Sequence, residues 1–205
     1  HGPTPRGMAM GRALCHSRAA RQDNLMIIEE TPLAGSFLVN LEQHSDERGF
    51  FARTFCSEEF AARGLATSFP QCSISWNPAR GTLRGMHFQT LPHAEDKLVR
   101  CTRGAIFDVI VDLRRESVSR GLWFGTILDA DLRQALFIPK GFAHGFLTIQ
   151  QDTEVLYMMS TSFEPNAGRG FRWDDPEVAI SWPEMPTMIS ERDANLPVLA
   201  GIKRE

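Results

Sequence analysis

After about residue 26, hydrophobic positions recur with the period-two rhythm of strands and not the longer period of helices. Residues 36–41, 104–113 and 123–128 are rich in β-branched and aromatic side chains. In the second run Phe107, Val109, Val111 and Leu113 share one face, while Asp108 and Asp112 point the other way. Shorter strands are expected at 134–138, 145–149 and 154–160, divided by Gly, Pro and Asp. Strands so spaced, without amphipathic helices between them, predict an all-β barrel or sandwich. Two short peripheral helices complete the pattern. One covers 57–64, with Ser57 as N-cap, Glu58 and Glu59 in its first turn and Gly64 at its end; the other starts at Ser190 and covers 190–193.

Composition narrows the classes. A chain of 205 residues, 42% hydrophobic and 23% charged, suits one globular domain and excludes a disordered one. A net charge of -3 without a basic block argues against nucleic acid as a partner. No apolar run approaches the roughly 20 residues that span a bilayer, so no membrane partner is expected. Cys15, Cys56, Cys72 and Cys101 are scattered and form no CxxC pair; they read as reduced, mostly buried thiols of a cytoplasmic protein. Residues 1–25 carry several arginines, no acid before Asp23 and no apolar stretch of the kind a signal peptide needs. Because the chain begins with His, this segment is expected to be a flexible extension, native or left by cloning, ahead of a single domain over 26–205.

Two histidines fall in glycine-punctuated strand segments. Strict alternation puts His87 on a face with Leu83 and Gln89, and Arg84, Met86 and Phe88 on the opposite one. His144 lies in a turn leading into another strand. A histidine on an apolar strand face is by default a hydrogen-bonded core residue. Arg84 and Lys97, each alone a plain surface charge, together place cations near His87 and suggest an anionic ligand. Tyr157 is the one tyrosine beside 14 phenylalanines, a hint that its hydroxyl is needed. Asp193 reads by default as part of a capped turn, and Arg48 as a loop charge.

Eight stretches carry a resemblance: 46–51 (DERGFF), 82–89 (TLRGMHFQ), 97–100 (KLVR), 104–114 (GAIFDVIVDLR), 138–146 (IPKGFAHGF), 153–157 (TEVLY), 172–176 (RWDDP) and 189–193 (ISERD). In this order, and over residues 26–198, the chain resembles the dTDP-4-dehydrorhamnose 3,5-epimerase family and its sugar 3-epimerase relatives. The resemblance implies a double-stranded β-helix, a cupin-like jelly roll, usually a homodimer with exchanged N-terminal strands. It implies catalysis without metal or cofactor on a nucleotide-linked 4-keto-6-deoxy sugar of the dTDP-4-dehydro-6-deoxyglucose type. C3 is inverted, and in full 3,5-epimerases C5 as well, through enolates.

The same resemblance assigns roles. His87 matches the base, Asp193 the carboxylate that orients it, and Tyr157 the acid on the opposite face of the sugar. Lys97 and His144 fall near the C4 oxygen, Arg84 and the partner subunit's Arg48 at the diphosphate and sugar, and Phe163 where a ring stacks on the base. Phe51, Gln71, Ser73 and Arg192 fall at further substrate-contact positions. Ser73 stands where the family commonly has Asn, Arg53 and Gly168 stand where acids are common, and Ser162–Phe163 replaces a frequent aromatic pair. These departures leave the sugar and the number of inverted centres open.

Two alternatives compete. Residues 139–144 fit the second cupin metal motif, P-x-G-x-x-H, which would make His87 and His144 ligands in a metal-dependent isomerase or oxygenase. The first cupin motif wants His-x-His, however, and Gln89 stands two residues after His87. A non-catalytic sugar-binding jelly roll would keep the fold but would need no base or acid.

Overall fold

The computed structural model describes residues 26–201. The expectations for residues 1–25, for Cys15 and for the domain's end at 205 lie outside the described residues. The elements in chain order are β1 (Ile27–Glu30), β2 (Phe37–Asn40), β3 (Gln43–Asp46), β4 (Gly49–Ala52), α1 (Ser57–Ala61), β5 (Gln71–Asn77), β6 (Thr82–Gln89) and β7 (Lys97–Arg103). They continue with β8 (Ala105–Asp112), β9 (Trp123–Asp129), β10 (Ala135–Ile138), β11 (Phe142–Thr148), β12 (Thr153–Met159), β13 (Gly168–Gly170), β14 (Met188–Ile189) and α2 (Glu191–Ala194).

Two sheets face each other, one in the order β1-β2-β10-β7-β12-β5, the other β13-β6-β11-β8-β9 with β14 added parallel to β6. The β3–β4 hairpin forms a small sheet of its own. Every other pairing is antiparallel, and the whole is a double-stranded β-helix jelly roll. Val99, Leu136, Ile138 and Val155 of the first sheet meet Ile106, Ile110, Phe142 and Phe146 of the second. Burying each such side chain contributes about 1.5–3 kcal/mol, so this layer dominates the sandwich.

The outer faces are covered unequally. Over the second sheet, Met86, Val109, Val111 and Ala143 pack beneath Phe171 and Val178 of the C-terminal segment. The apolar face of 107–113 is therefore the outer one, and the aspartates opposite are buried inside the sandwich. At one end of the first sheet α1 closes the outer face through Phe60, whose ring meets Phe55, Phe69 and Phe137 edge-on at 5.0, 6.5 and 5.9 Å. Toward β5 that face is bare, with Ile74 and Trp76 exposed.

Several expectations need correction. His144 sits within β11 and not in a turn before it, because β8 supplies partners from Phe142 onward. Cys56 is the N-cap of α1, and Ser57 is already helical. Of the three described cysteines only Cys101 is buried; Cys72 lies on the bare face of β5. Ser190 does cap α2, its hydroxyl accepting from the Asp193 N–H over 3.1 Å.

Candidate active site

Strict alternation fails along β6. His87 lies opposite His144 of β11 and Arg84 lies opposite Phe146, with a register shift between the two pairs. Directly opposed residues share a face, and His144 and Phe146 both face inward. Arg84 and His87 therefore both face the interior, although they are three residues apart. The shift falls at Gly85, whose φ of +134° suits glycine and whose missing Cβ would stand 2.5 Å from Gly145 Cα.

His87 donates from Nε2 to Asp193 Oδ1 at 2.8 Å, and the other carboxylate oxygen accepts the Gly85 N–H at 3.2 Å. Asp193 is buried, while the imidazole is partly open. Burial works against the carboxylate, but the His87 and Gly85 hydrogen bonds and the positive charge of Arg192 outweigh it and lower its pKa. An ionised carboxylate only accepts, so Nε2 carries the hydrogen and Nδ1 the free lone pair. The pair is assembled by β14, which runs beside β6 and delivers the α2 turn beneath His87.

Tyr157 comes from β12, in the facing sheet. Its ring stands edge-on to His144, 6.1 Å between centroids, and its hydroxyl lies 3.3 Å from Ser75 Oγ. Burial pushes its ionisation well above the ordinary phenol range. His144 is buried, with Nε2 2.6 Å from Asp108 Oδ1. Lys97 Nζ lies 3.2 Å from Glu95 Oε1, and Glu95 Oε2 accepts from Gln89 at 2.5 Å.

His87, Gln89, Glu95, Lys97, Tyr157 and Met159 are walls of one cavity of about 230 Å³, closed further by Phe163, Gly168, Arg169 and Arg192. A larger hollow of about 810 Å³ lies on the other side of Phe88 and Gln89, rimmed by Arg114, Arg115, Arg120 and Lys140. It brings no histidine or tyrosine to its walls, so the smaller cavity holds the acid–base groups.

The other sequence-derived candidates fall around this cavity. Arg84 lies beside it, its Nε donating to Asn77 Oδ1 at 2.7 Å. His144 sits behind Tyr157 and is not a wall. Gln71 Oε1 accepts the Phe163 N–H at 2.6 Å, so it shapes the loop that carries Phe163. Ser73 is exposed on β5, opposite Tyr157 in register. Arg48 and Phe51 are exposed on the β3–β4 hairpin, outside the cavity walls, and Arg48 is paired with Asp46 at 2.5 Å.

Ser75, Asn77, Glu95, Asp108 and Met159 were unmarked by pattern alone. The polar alternation Gln71, Ser73, Ser75, Asn77 was the available signal for the first two. His87 and His144 each commit Nε2 to a carboxylate. Among the described residues no group of three or more His, Cys, Asp or Glu gathers to hold a metal ion, which gives the cupin metal alternative no donor set.

A jelly roll whose cavity collects an imidazole–carboxylate pair, a phenol and a lysine defines an enzyme of acid–base type. The model of the dTDP-4-dehydrorhamnose 3,5-epimerase family matches residues 30–201. A relative of that description from Escherichia coli is 41% identical over 173 residues, 83% of this chain and 93% of its own length. The Bacillus anthracis dTDP-4-dehydrorhamnose 3,5-epimerase, solved with TDP and PPi bound, superposes with a TM-score of 0.82 at 39% identity, covering 85% of this chain and all of that one. A Legionella pneumophila dTDP-6-deoxy-D-glucose-3,5-epimerase, solved in complex with dTDP-4-keto-L-rhamnose, gives 0.82 at 32% identity over 87% of this chain and 95% of its own. The chain belongs to the dTDP-4-dehydrorhamnose 3,5-epimerase family.

Proposed function

We propose that this protein epimerises a nucleotide-linked 4-keto-6-deoxy sugar of the dTDP-4-dehydro-6-deoxyglucose type at C3, and at C5 where the sugar can turn over in the site. The observation that carries this reading is the arrival of His87 and Tyr157 in one cavity from facing sheets. Inversion needs a proton removed from one face of a carbon and another delivered to the opposite face.

His87 Nδ1 takes the proton α to the ketone, and Asp193 holds the imidazole in that tautomer and stabilises the imidazolium formed. Lys97, shared with Glu95, favours negative charge on the C4 oxygen, while His144, held by Asp108, packs behind the Tyr157 ring. Tyr157 returns a proton from the other side. Arg84 binds the diphosphate, Phe163 stacks on the base, and Gln71, Ser73 and Arg192 complete the sugar contacts. No metal or cofactor enters this scheme.

The working unit in this reading is a homodimer with exchanged N-terminal strands, in which the partner subunit's Arg48 and Phe51 reach the cavity. Exposed apolar side chains support it: Phe51 at 67% on the hairpin, Ile74 at 62% and Trp76 at 45% on β5. The three described cysteines are free thiols, and no described helix is long and apolar enough to cross a membrane; both suit a cytoplasmic enzyme whose single domain starts near Met26.

The deciding experiment is proton NMR in deuterated water with dTDP-4-keto-6-deoxyglucose. Deuterium should enter at C3 with the native chain and fail to enter with His87→Ala, while exchange at C5 counts the second centre. No exchange at either carbon with the native chain overturns the reading. Sedimentation of the native chain should give a dimer; a monomer overturns the exchanged-strand assembly.

A further inference from the structure

The Tyr157 hydroxyl ends a chain of side chains that the roles above leave unused. Ser75 Oγ, 3.3 Å from it, also accepts from Asn77 Nδ2 at 3.3 Å. Asn77 is fully buried, donates to the Thr153 carbonyl at 3.2 Å, and accepts from Arg84 Nε at 2.7 Å. The polarity of this chain is set at its far end. A guanidinium only donates, so Asn77 must turn its oxygen to Arg84 and its NH₂ toward Ser75. Ser75 Oγ then receives a donor on one lone pair, and its own single hydrogen stays free to be given to Tyr157 once the phenol has lost its proton. A hydroxyl so placed serves a phenolate better than a phenol.

We propose that Ser75 and Asn77 are positioning residues that hold the Tyr157 phenolate formed at protonation of the sugar carbon, and that Asn77 ties that step to Arg84. This rests on the epimerase reading. In the step, the Tyr157 O–H bond breaks and a C–H bond forms at the enolate carbon. The enolate's charge collapses to the ketone, and the phenol's electron pair stays on Tyr157 as negative charge until solvent reprotonates it.

The ring's surroundings make that charge hard to carry. Burial is the largest influence and disfavours the phenolate; Ser75 favours it, Asp108 opposes it, Arg84 favours it and Cys101 opposes it. His144 and Phe146 close the ring's other sides, 6.1 and 6.5 Å between centroids. In so dry a place each hydrogen bond to the charged form counts for more than it would in water.

Tyr157 is the one tyrosine of the chain, so growth on a polyfluorinated tyrosine labels it alone and brings its ionisation toward neutral pH. Fluorine NMR of the full chain then reads the titration without any substrate. Ser75→Ala should raise the midpoint by about 0.5–1 pH unit, and Ser75→Thr should leave it near that of the native side chain. Asn77→Asp keeps an oxygen for Arg84 but removes the donor to Ser75 and adds negative charge, so it should raise the midpoint further. In turnover, both Ser75→Ala and Asn77→Asp should slow inversion about tenfold while C3 deuterium exchange stays within about twofold.

An unmoved midpoint in Ser75→Ala, or equal loss of exchange and inversion, overturns the proposal. If Ser75→Ala does not fold, Asn77→Asp against Ser75→Thr carries the same test. A native chain that exchanges nothing at C3 overturns the epimerase reading instead, and leaves the titration to judge the hydrogen-bond chain by itself.

Discussion

Arg84 and His87 project from the same face of β6 although they are three positions apart, a step that plain alternation would put on opposite faces, since they stand opposite Phe146 and His144, neighbours on one face of β11. The register shift that allows this sits where Gly85 and Gly145 cross. A Cβ on Gly85 would meet Gly145 Cα at 2.5 Å and the His144 carbonyl at 3.0 Å, both backbone atoms, and its φ of +134° is foreign to alanine. Gly85→Ala is expected to destabilise the fold by about 3 kcal/mol and to abolish turnover, because restored alternation would turn one of the two side chains away. Urea unfolding checks the first effect; a variant as stable as the native chain and still active would remove the shift from the argument.

Asp193 acts through His87 and is not a cavity wall. Asp193→Asn should therefore lower kcat by about 10²–10⁴-fold with KM little changed. Steady-state kinetics separate the two constants. A rise in KM with kcat preserved would mean that Asp193 serves binding and does not orient the base.

Much of the fold could be read from the chain, and the reason is local. Runs such as 104–113 and 123–128 are rich in β-branched and aromatic residues and reappear as β8 and β9. Which face of a strand is inside could not be read. On β5 the apolar Cys72, Ile74 and Trp76 face outward, and the polar Ser75 and Asn77 face Tyr157 and Arg84. On β8 the aspartates face in because the C-terminal segment covers the apolar side. The site was legible only as motif resemblance: Asp193 reaches His87 across 106 positions, and a shifted strand defeats period-two counting at Arg84.

Tyr157 and His87 belong to separate halves of the reaction, so their loss should be separable. Tyr157→Phe keeps the base, the Asp193 contact and most of the ring packing against His144 and Phe146. Deuterium exchange at C3 should stay within about threefold of the native rate, while net inversion falls by about 10² or more. Parallel measurement of deuterium incorporation and product stereochemistry tests this. Equal loss of both activities would take the acid's role away from Tyr157.

Asp112 gives the fold a pH dependence of its own, away from the cavity. The carboxylate is fully buried at the end of β8 and accepts from Arg114 Nε at 3.0 Å, Arg114 Nη2 at 2.7 Å, Ser117 Oγ at 2.5 Å and Ser119 Oγ at 2.7 Å. Burial alone would raise its pKa, but the donors from Arg114, Ser117 and Ser119 outweigh it and bring the group from 3.8 down to about 2. A folded-state pKa below the unfolded one stabilises the fold above the unfolded value, and that stability drains away as pH falls toward the folded one. The contribution is therefore complete above about pH 4 and lost between about pH 4 and 2. Asp112→Asn should lower neutral-pH stability by about 2 kcal/mol and flatten the acid limb of the stability curve. Urea unfolding of both proteins across that range measures the difference, and two acid limbs of equal slope would show that the Arg114–Ser117–Ser119 cluster does not hold the charge.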